Sequence, residues 1–150
     1  MAKLFLLQGH TDGTGNNTTK TKDKGACNDK GICESDITKP IIDTVLPVIK
    51  EHIWCTTLDY SMDLIDKNKY LNKYAKKEDI VIELHLNSSA SKQAKGAFCI
   101  CERDGSTVTA NRMIEAYSKQ VNVEPKSSYY NEKYLLLNGN HCTSYILEMG

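Results

Sequence analysis

Short apolar runs alternate with segments of helical periodicity along this chain, and that alternation predicts an α/β fold with a mostly parallel, twisted sheet of about five to six strands. The run from Asp79 to Leu86 is the clearest strand, because IVIELHL is β-branched, mostly apolar and too short for a typical helix. We expect it to lie at the centre of the sheet. The other predicted strands run from about Lys3 to Gly9, Ile53 to Thr57, Gly96 to Glu102, Tyr134 to Leu137 and Ser144 to Glu148.

Three segments with helical spacing predict the helices that flank this sheet. The first runs from about Thr38 to His52, with Thr38 as its N-cap and Pro40 in its first turn. Pro47 is expected to kink or shorten that helix. The other helices are predicted from about Ser61 to Lys77, with its lysines on a solvated face, and from Ser106 to Val121.

Composition and charge bear on the number of domains, the kinds of partner and the cellular compartment. The chain has 150 residues, of which 40% are hydrophobic, and this suits one compact domain. Its 19 basic and 19 acidic residues give no net charge, so nothing points to nucleic acid or to a membrane surface. The start, MAKLFLLQGH, lacks the cleavage site of a signal peptide, so we expect synthesis in the cytoplasm without one. In that reducing compartment the six cysteines are expected to be free thiols.

Four polar residues stand at places where this fold would bring them together. His10 and Glu148 lie at the carboxyl ends of predicted strands, His85 lies near such an end, and Glu34 lies just before a predicted helix. Ligands of open α/β sheets bind outside the carboxyl ends of the strands. Two imidazoles and a carboxylate can hold Zn²⁺ with one position open, and a second carboxylate can move protons, so the residue types predict a hydrolase. The polar stretch from Thr11 to Lys30 predicts a long loop beside that site.

Other residues offer competing interpretations. The two-residue period of a strand puts Glu83 on the same face as His85, as an alternative ligand or as a partner behind it. His141 follows turn residues and is expected to be exposed. Four cysteines offer a structural zinc site as a further alternative, although their spacing along the chain does not match the usual pairs of zinc ligands. They are Cys27, Cys33, Cys99 and Cys101.

The motifs around these residues resemble a known family. They are the Gly9-His10 turn, Gly25-Ala26 followed by Glu34, the run IELHLNSSAS around His85, and SYILEMG around Glu148. In this order they resemble the zinc-dependent N-acetylmuramoyl-L-alanine amidases, in particular the catalytic domains of bacteriophage and clostridial endolysins. The resemblance implies a mixed α/β fold and one amidase-like catalytic domain over residues 1–150.

The resemblance also implies roles for the four residues. Zn²⁺ would be bound by His10, Glu34 and His85, with Glu148 as the catalytic carboxylate. The implied substrate is bacterial peptidoglycan, cut at the amide between N-acetylmuramic acid and the first L-alanine of the stem peptide, so the implied place of action is the cell wall.

Two features depart from the family pattern. Family members usually continue past the catalytic glutamate, whereas this chain stops at Gly150, so a C-terminal segment is expected to be missing or shortened. The family often carries arginines near the second histidine, but the only arginines here are Arg103 and Arg112. Lysines can supply the charge without the bidentate geometry.

Two other functions remain open from the sequence. The same metal chemistry would serve a zinc peptidase that cuts the stem peptide, because a metal centre of this kind hydrolyses any well-placed amide. A module that binds the cell wall without turnover is the alternative from another class.

Overall fold

Six β-strands and four α-helices form the part of the chain that the computed structural model describes, namely residues 1–13, 23–87 and 95–150. The strands are β1 (Leu4–Gln8), β2 (Cys55–Thr56), β3 (Ile80–His85), β4 (Phe98–Cys101), β5 (Tyr129–Tyr130) and β6 (Thr143–Glu148). The helices are α1 (Glu34–Lys50), α2 (Leu64–Tyr74), α3 (Thr107–Val121) and α4 (Leu135–Asn138). The loop predicted from Thr11 to Lys30 includes residues 14–22, which lie outside the described ranges.

The strands form one twisted sheet in the order β2-β1-β3-β6-β4-β5. All neighbouring pairs are parallel except β4 and β6, which are antiparallel. Strand β3 lies inside the sheet between β1 and β6, as its apolar sequence predicts. The predicted fold class, α/β with a mostly parallel sheet, is therefore confirmed.

Helices cover both faces of the sheet. On one face Ile42 of α1 packs with Leu6 and Leu84, and Ile114 of α3 packs with Cys99 and Tyr145. On the other face α2 and α4 cover a core built around Phe5, Leu7, Val81, Ile100 and Ile146. None of the helices in the described ranges is long and apolar enough to cross a membrane.

Helix α1 begins earlier than its sequence pattern predicts. Cys33 is the N-cap, and the Asp36 side chain accepts a hydrogen bond of 3.0 Å from the Cys33 backbone N–H. The prediction that Thr38 caps the helix is wrong, because Thr38 is buried inside it and donates to the Glu34 carbonyl. Pro47 does not end the helix, which continues to Lys50. Glu34 consequently lies in the first turn of α1 rather than before it.

The segment from Tyr134 to Leu137, predicted as a strand, is instead the start of α4. Leu136 and Leu137 are both buried, so this short apolar run contributes to the core as a single helical turn rather than as a strand. The neighbouring edge strand β5, which the sequence does not predict, pairs with β4 through Tyr129 and Tyr130.

The expectation that all six cysteines are thiols is wrong for one pair. A turn closed by the Asn28 N–H and the Ile32 carbonyl brings Cys27 and Cys33 together, and they form a disulfide. The four remaining cysteines are buried thiols: Cys55, Cys99, Cys101 and Cys142. Cys99 and Cys101 belong to β4, so the four-cysteine zinc site considered from the sequence does not form.

Candidate metal centre and cleft

The four residues proposed from the sequence meet at the carboxyl edge of the sheet. His85 and Glu148 are the last residues of β3 and β6, and His10 follows β1 after one glycine. Glu34 reaches the same edge from the first turn of α1, where its carboxylate accepts hydrogen bonds from the backbone N–H groups of Ala26 and Leu86, both at 3.2 Å. Parallel strands place these residues together because their carboxyl ends share one edge.

Three of the residues form a tight cluster that could hold a metal ion. His10 Nε2 lies 3.3 Å from Glu34 Oε2, and His85 Nδ1 lies 3.5 Å from the same oxygen. The two imidazole rings meet edge to face with their centres 5.0 Å apart. One donor atom from each residue lies within 4.8 Å of the other two.

Two of the three spacings between these donor atoms match those expected around Zn²⁺. For a tetrahedral ion with ligands at roughly 2.0–2.2 Å, neighbouring ligand atoms lie about 3.3–3.6 Å apart. The distances from Glu34 Oε2 to the two imidazole nitrogens fall in that range. Two histidines and one carboxylate are also a donor set of catalytic rather than structural zinc, because they leave a position for water or substrate.

Each histidine has a second carboxylate behind it. His10 Nδ1 lies 3.1 Å from Asp23 Oδ2, and His85 Nε2 lies 3.2 Å from Glu83 Oε2. Glu83 therefore faces the rear of His85 and is not a member of the three-residue cluster. Its other oxygen, Oε1, lies 3.1 Å from Lys67 Nζ. The prediction that the lysines of the second helix are solvated is wrong for Lys67, which is 2% exposed.

The charges of the cluster are strongly coupled. Burial alone would lower the pKa of His85, but hydrogen bonds to Glu34 and Glu83 raise it to about 10. Burial would raise the pKa of Glu34, yet the hydrogen bonds from His10, His85 and the Leu86 backbone hold it well below its usual value. Because a metal binds only neutral imidazole, a cation that enters the cluster must displace protons from it.

Glu148 lies beside the cluster on the same face of the sheet. It is the register partner of His85 on β3 and of Phe98 on β4, so the three side chains form a row across neighbouring strands. Burial, followed by the nearby Glu34 carboxylate, raises the pKa of Glu148 despite the opposing charge of His85. A half-buried carboxyl group of this kind can both accept and donate a proton.

One cavity of about 570 Å³ joins these groups to an apolar surface. Its polar end contains the cluster and Glu148. At the other end the rings of Phe98 and Tyr129 stack with centres 5.7 Å apart, and Tyr134 and Leu135 continue the wall. The cavity thus offers a charged end for chemistry and an aromatic end for binding.

Two glycines allow the histidine rings to pack against the backbone. A Cβ atom on Gly9 would lie 2.4 Å from His85 Nε2, and one on Gly25 would lie 2.5 Å from His10 Cδ2. Gly25 also has φ of +78°, which side chains rarely adopt. A Cβ atom at either position would therefore push one of the two histidine rings out of its place.

Sequence reasoning missed Asp23 and Lys67. Asp23 lies in a polar loop with no periodicity, so no signal marked it. Lys67 had a usable signal, because it stands three residues after Leu64 and four before Leu71, on the face of α2 that packs inward. His141, expected to be exposed, is exposed and contacts Asn72 and the Ala75 carbonyl.

Comparison with known proteins gives a family and a fold. The sequence profile of a family described as N-acetylmuramoyl-L-alanine amidase matches residues 5–150. No curated protein sequence matches the chain.

Several solved structures share the fold at low sequence identity. The catalytic domain of CwlV, an N-acetylmuramoyl-L-alanine amidase from Bacillus (Paenibacillus) polymyxa var. colistinus, is 19% identical with a TM-score of 0.78, and the match covers 100% of this chain and 80% of that one. The catalytic domain of an endolysin targeting Clostridia Difficile is 16% identical with a TM-score of 0.77, covering 99% and 81%. An N-acetylmuramoyl-L-alanine amidase of Nostoc punctiforme is 17% identical with a TM-score of 0.76, covering 99% and 79%.

Proposed function

Because this chain belongs to the N-acetylmuramoyl-L-alanine amidase family, we propose that it uses Zn²⁺ to hydrolyse the amide between N-acetylmuramic acid and L-alanine in bacterial peptidoglycan. The observation that carries this proposal is the cluster of His10, Glu34 and His85, with Glu148 beside it in one cavity. The whole chain is then one catalytic domain, and its place of action is the bacterial cell wall.

The proposed metal site consists of His10 Nε2, His85 Nδ1 and a Glu34 oxygen. These residues would hold Zn²⁺, which would supply Lewis-acid polarisation of the substrate carbonyl and a lowered pKa of water at the site. Glu34 would neutralise part of the ion's charge, and its contacts with the Ala26 and Leu86 backbone hold the carboxylate in place.

Glu148 is the proposed general base and then general acid. It would take the proton that the attacking water gives up and pass it to the departing alanine nitrogen. In the metal-free cluster burial raises the pKa of Glu148, so the protonated form of this carboxyl group becomes accessible nearer to neutral pH. The row formed by His85, Glu148 and Phe98 leads from this carboxyl group to the aromatic end of the cavity, where a sugar ring or the stem peptide could pack.

The test combines zinc analysis with product analysis. Purified protein is expected to bind one Zn²⁺ and to release fragments from peptidoglycan that carry a new L-alanine amino terminus and an intact lactyl-muramic acid. A chelator should abolish the release. Glu148→Gln is expected to keep the zinc and to lower turnover by roughly 10²–10⁴-fold, the range for loss of a general acid/base.

A matched control is Glu124→Gln, since Glu124 is exposed and lies outside the cavity. It should leave turnover unchanged. New amino termini within the stem peptide would instead identify a peptidase, and wall binding without any cleavage would identify a binding module. Either result contradicts the proposed amidase reaction.

A further inference from the structure

We propose that Lys67 and Glu83 form a buried positioning pair that fixes the ring of His85 for metal binding. This inference rests on the zinc site proposed above and adds two residues that do not touch the metal. Lys67 comes from α2 and Glu83 from the middle of β3, two residues before His85.

The pair is buried, and the Lys67 ammonium has an acceptor for each of its protons. The side chains of Lys67 and Glu83 are each 2% exposed. The Lys67 ammonium has three protons and meets three acceptors: Glu83 Oε1 at 3.1 Å, the Gly9 carbonyl at 3.1 Å and the Gln8 carbonyl. The two carbonyls directly precede His10, so one ammonium connects the strand that leads to His10 with the strand that carries His85.

Stability alone does not account for such a pair. Removing two charges from water costs several kcal/mol per ion, and apolar side chains of similar size would often fill the same space at no loss of stability. The placement of the pair supplies a different reason. Glu83 turns its second oxygen, Oε2, toward His85 Nε2 at 3.2 Å.

That contact selects the form of His85 that can bind a metal. An ionised carboxylate only accepts hydrogen bonds, so Glu83 requires the proton of the neutral ring to be on Nε2. Nδ1 is then free of a proton and faces the cluster, 3.5 Å from Glu34 Oε2. In metal sites this arrangement fixes both the ring and its tautomer, and loss of the carboxylate typically costs 10–100-fold in affinity.

Lys67 determines which way the Glu83 carboxylate faces. Because the ammonium holds Oε1, only Oε2 is available to His85. The pair therefore acts through His85 as a support, and neither residue is a catalytic residue.

The first test uses a charge-free replacement of the pair, Lys67→Met with Glu83→Leu. Because both charges are removed together, no lone charge is buried and the double variant should still fold, with a melting temperature lowered only by the Gln8 and Gly9 carbonyls that lose the Lys67 donor. Zinc affinity, measured by competition with a chromophoric chelator, is expected to fall by about 10–100-fold. A stable double variant that binds Zn²⁺ within about threefold of the wild type would overturn the positioning role, because a merely structural pair has no effect on the metal.

The second test examines the His85 ring directly with Glu83→Gln. Lys67 can only donate, so it should hold the amide oxygen and leave the amide NH₂ facing His85 Nε2. That group competes with the Nε2 proton. Proton–nitrogen NMR of the zinc-loaded protein should show the His85 Nε2–H as a downfield, slowly exchanging signal in the wild type, and that signal should be shifted upfield or lost in Glu83→Gln. An unchanged signal contradicts the proposal.

The two proposals fail in different ways. Wild-type protein that binds no Zn²⁺ would overturn the proposed function and the positioning role together. Wild-type protein that binds Zn²⁺ with the same affinity as the double variant would overturn the positioning role alone. Glu124→Gln, with an exposed carboxylate, serves as the control for loss of an acidic charge.

Discussion

The two histidines of the cluster have the same chemistry but different supports. His85 ends a central strand and is backed by Glu83, which is 2% exposed and paired with Lys67. His10 follows a strand and is backed by Asp23, whose side chain is 61% exposed in a loop. A buried charge has few alternative partners, whereas an exposed one exchanges its partners with water. The His85 side is therefore the fixed half of the cluster, and the His10 side is the adjustable half.

The largest expected difference between the two histidines is in how the stability of the metal-free protein depends on pH. The folded pKa of His85 is about 10, above its value of 6.5 in the unfolded chain. The stability that this shift contributes is fully present below pH 6.5 and is lost as the pH rises through about 10. By linkage it amounts at most to something on the order of 5 kcal/mol.

Urea unfolding of chelator-treated protein at pH 6 and pH 10 measures this loss. His85→Asn should remove most of the difference between the two pH values, and His10→Asn should remove less of it. With Zn²⁺ bound the slope should reverse over the lower part of the range, because protons compete with the metal. Equal effects of the two asparagine variants would remove the distinction between the fixed and adjustable halves.

The next test compares buried and exposed ion pairs. Lys67→Met leaves the buried Glu83 carboxylate with His85 but without its ammonium partner, so we expect the free energy of unfolding to fall by up to about 3–5 kcal/mol. Lys24→Met breaks the pair between Lys24 and Asp36, whose side chains are 34% and 39% exposed, and should change stability little. Chemical unfolding at pH 7 measures the free energy of unfolding of both variants. A small effect of Lys67→Met would contradict the conclusion that the His85 side is the fixed half of the cluster.

The smallest expected effect lies on the adjustable side. Gly25 and Gly31 both have positive φ, +78° and +76°, so alanine at either position should cost about 1–2 kcal/mol in backbone strain. Of the two alanine Cβ atoms, only the one at Gly25 would also contact His10, because a Cβ atom at Gly31 has nothing within 4 Å. Gly25→Ala should therefore weaken Zn²⁺ binding as well, by a few-fold to tenfold. Equal zinc affinities in the two variants, measured by chelator competition, would contradict the contact with His10.

The same division separates what the sequence predicts from what it does not. On the fixed side the two-residue period of β3 places Glu83 with His85, and the central position of the strand follows from its apolar residues. The convergence of strand ends predicts where His10, His85 and Glu148 meet. These inferences succeed because they depend on regular backbone geometry.

The rest depends on contacts between distant residues. The Cys27–Cys33 disulfide and Asp23 belong to a loop, and the loop sequence has no hydrophobic periodicity from which its structure could be predicted. Lys67 is buried although lysine usually lies at the surface, because the Gln8 carbonyl of β1 and the Glu83 carboxylate of β3 satisfy its charge. For Leu135, Leu136 and Leu137, an apolar run this short fits a strand or one helical turn equally well, and packing determines the outcome.

The position of β6 in the sheet has a consequence for assembly. Strand β6 lies between β3 and β4, so it joins two ladders, β2-β1-β3 and β4-β5, that come earlier in the sequence. Such long-range pairing is slow to form, because the chain must close a large loop first. Glu148 enters the row with His85 and Phe98 through that same pairing. A chain in which β6 has not yet paired with β3 and β4 therefore has an incomplete cleft, and the proposed wall-degrading activity would be withheld until the two ladders join into one sheet.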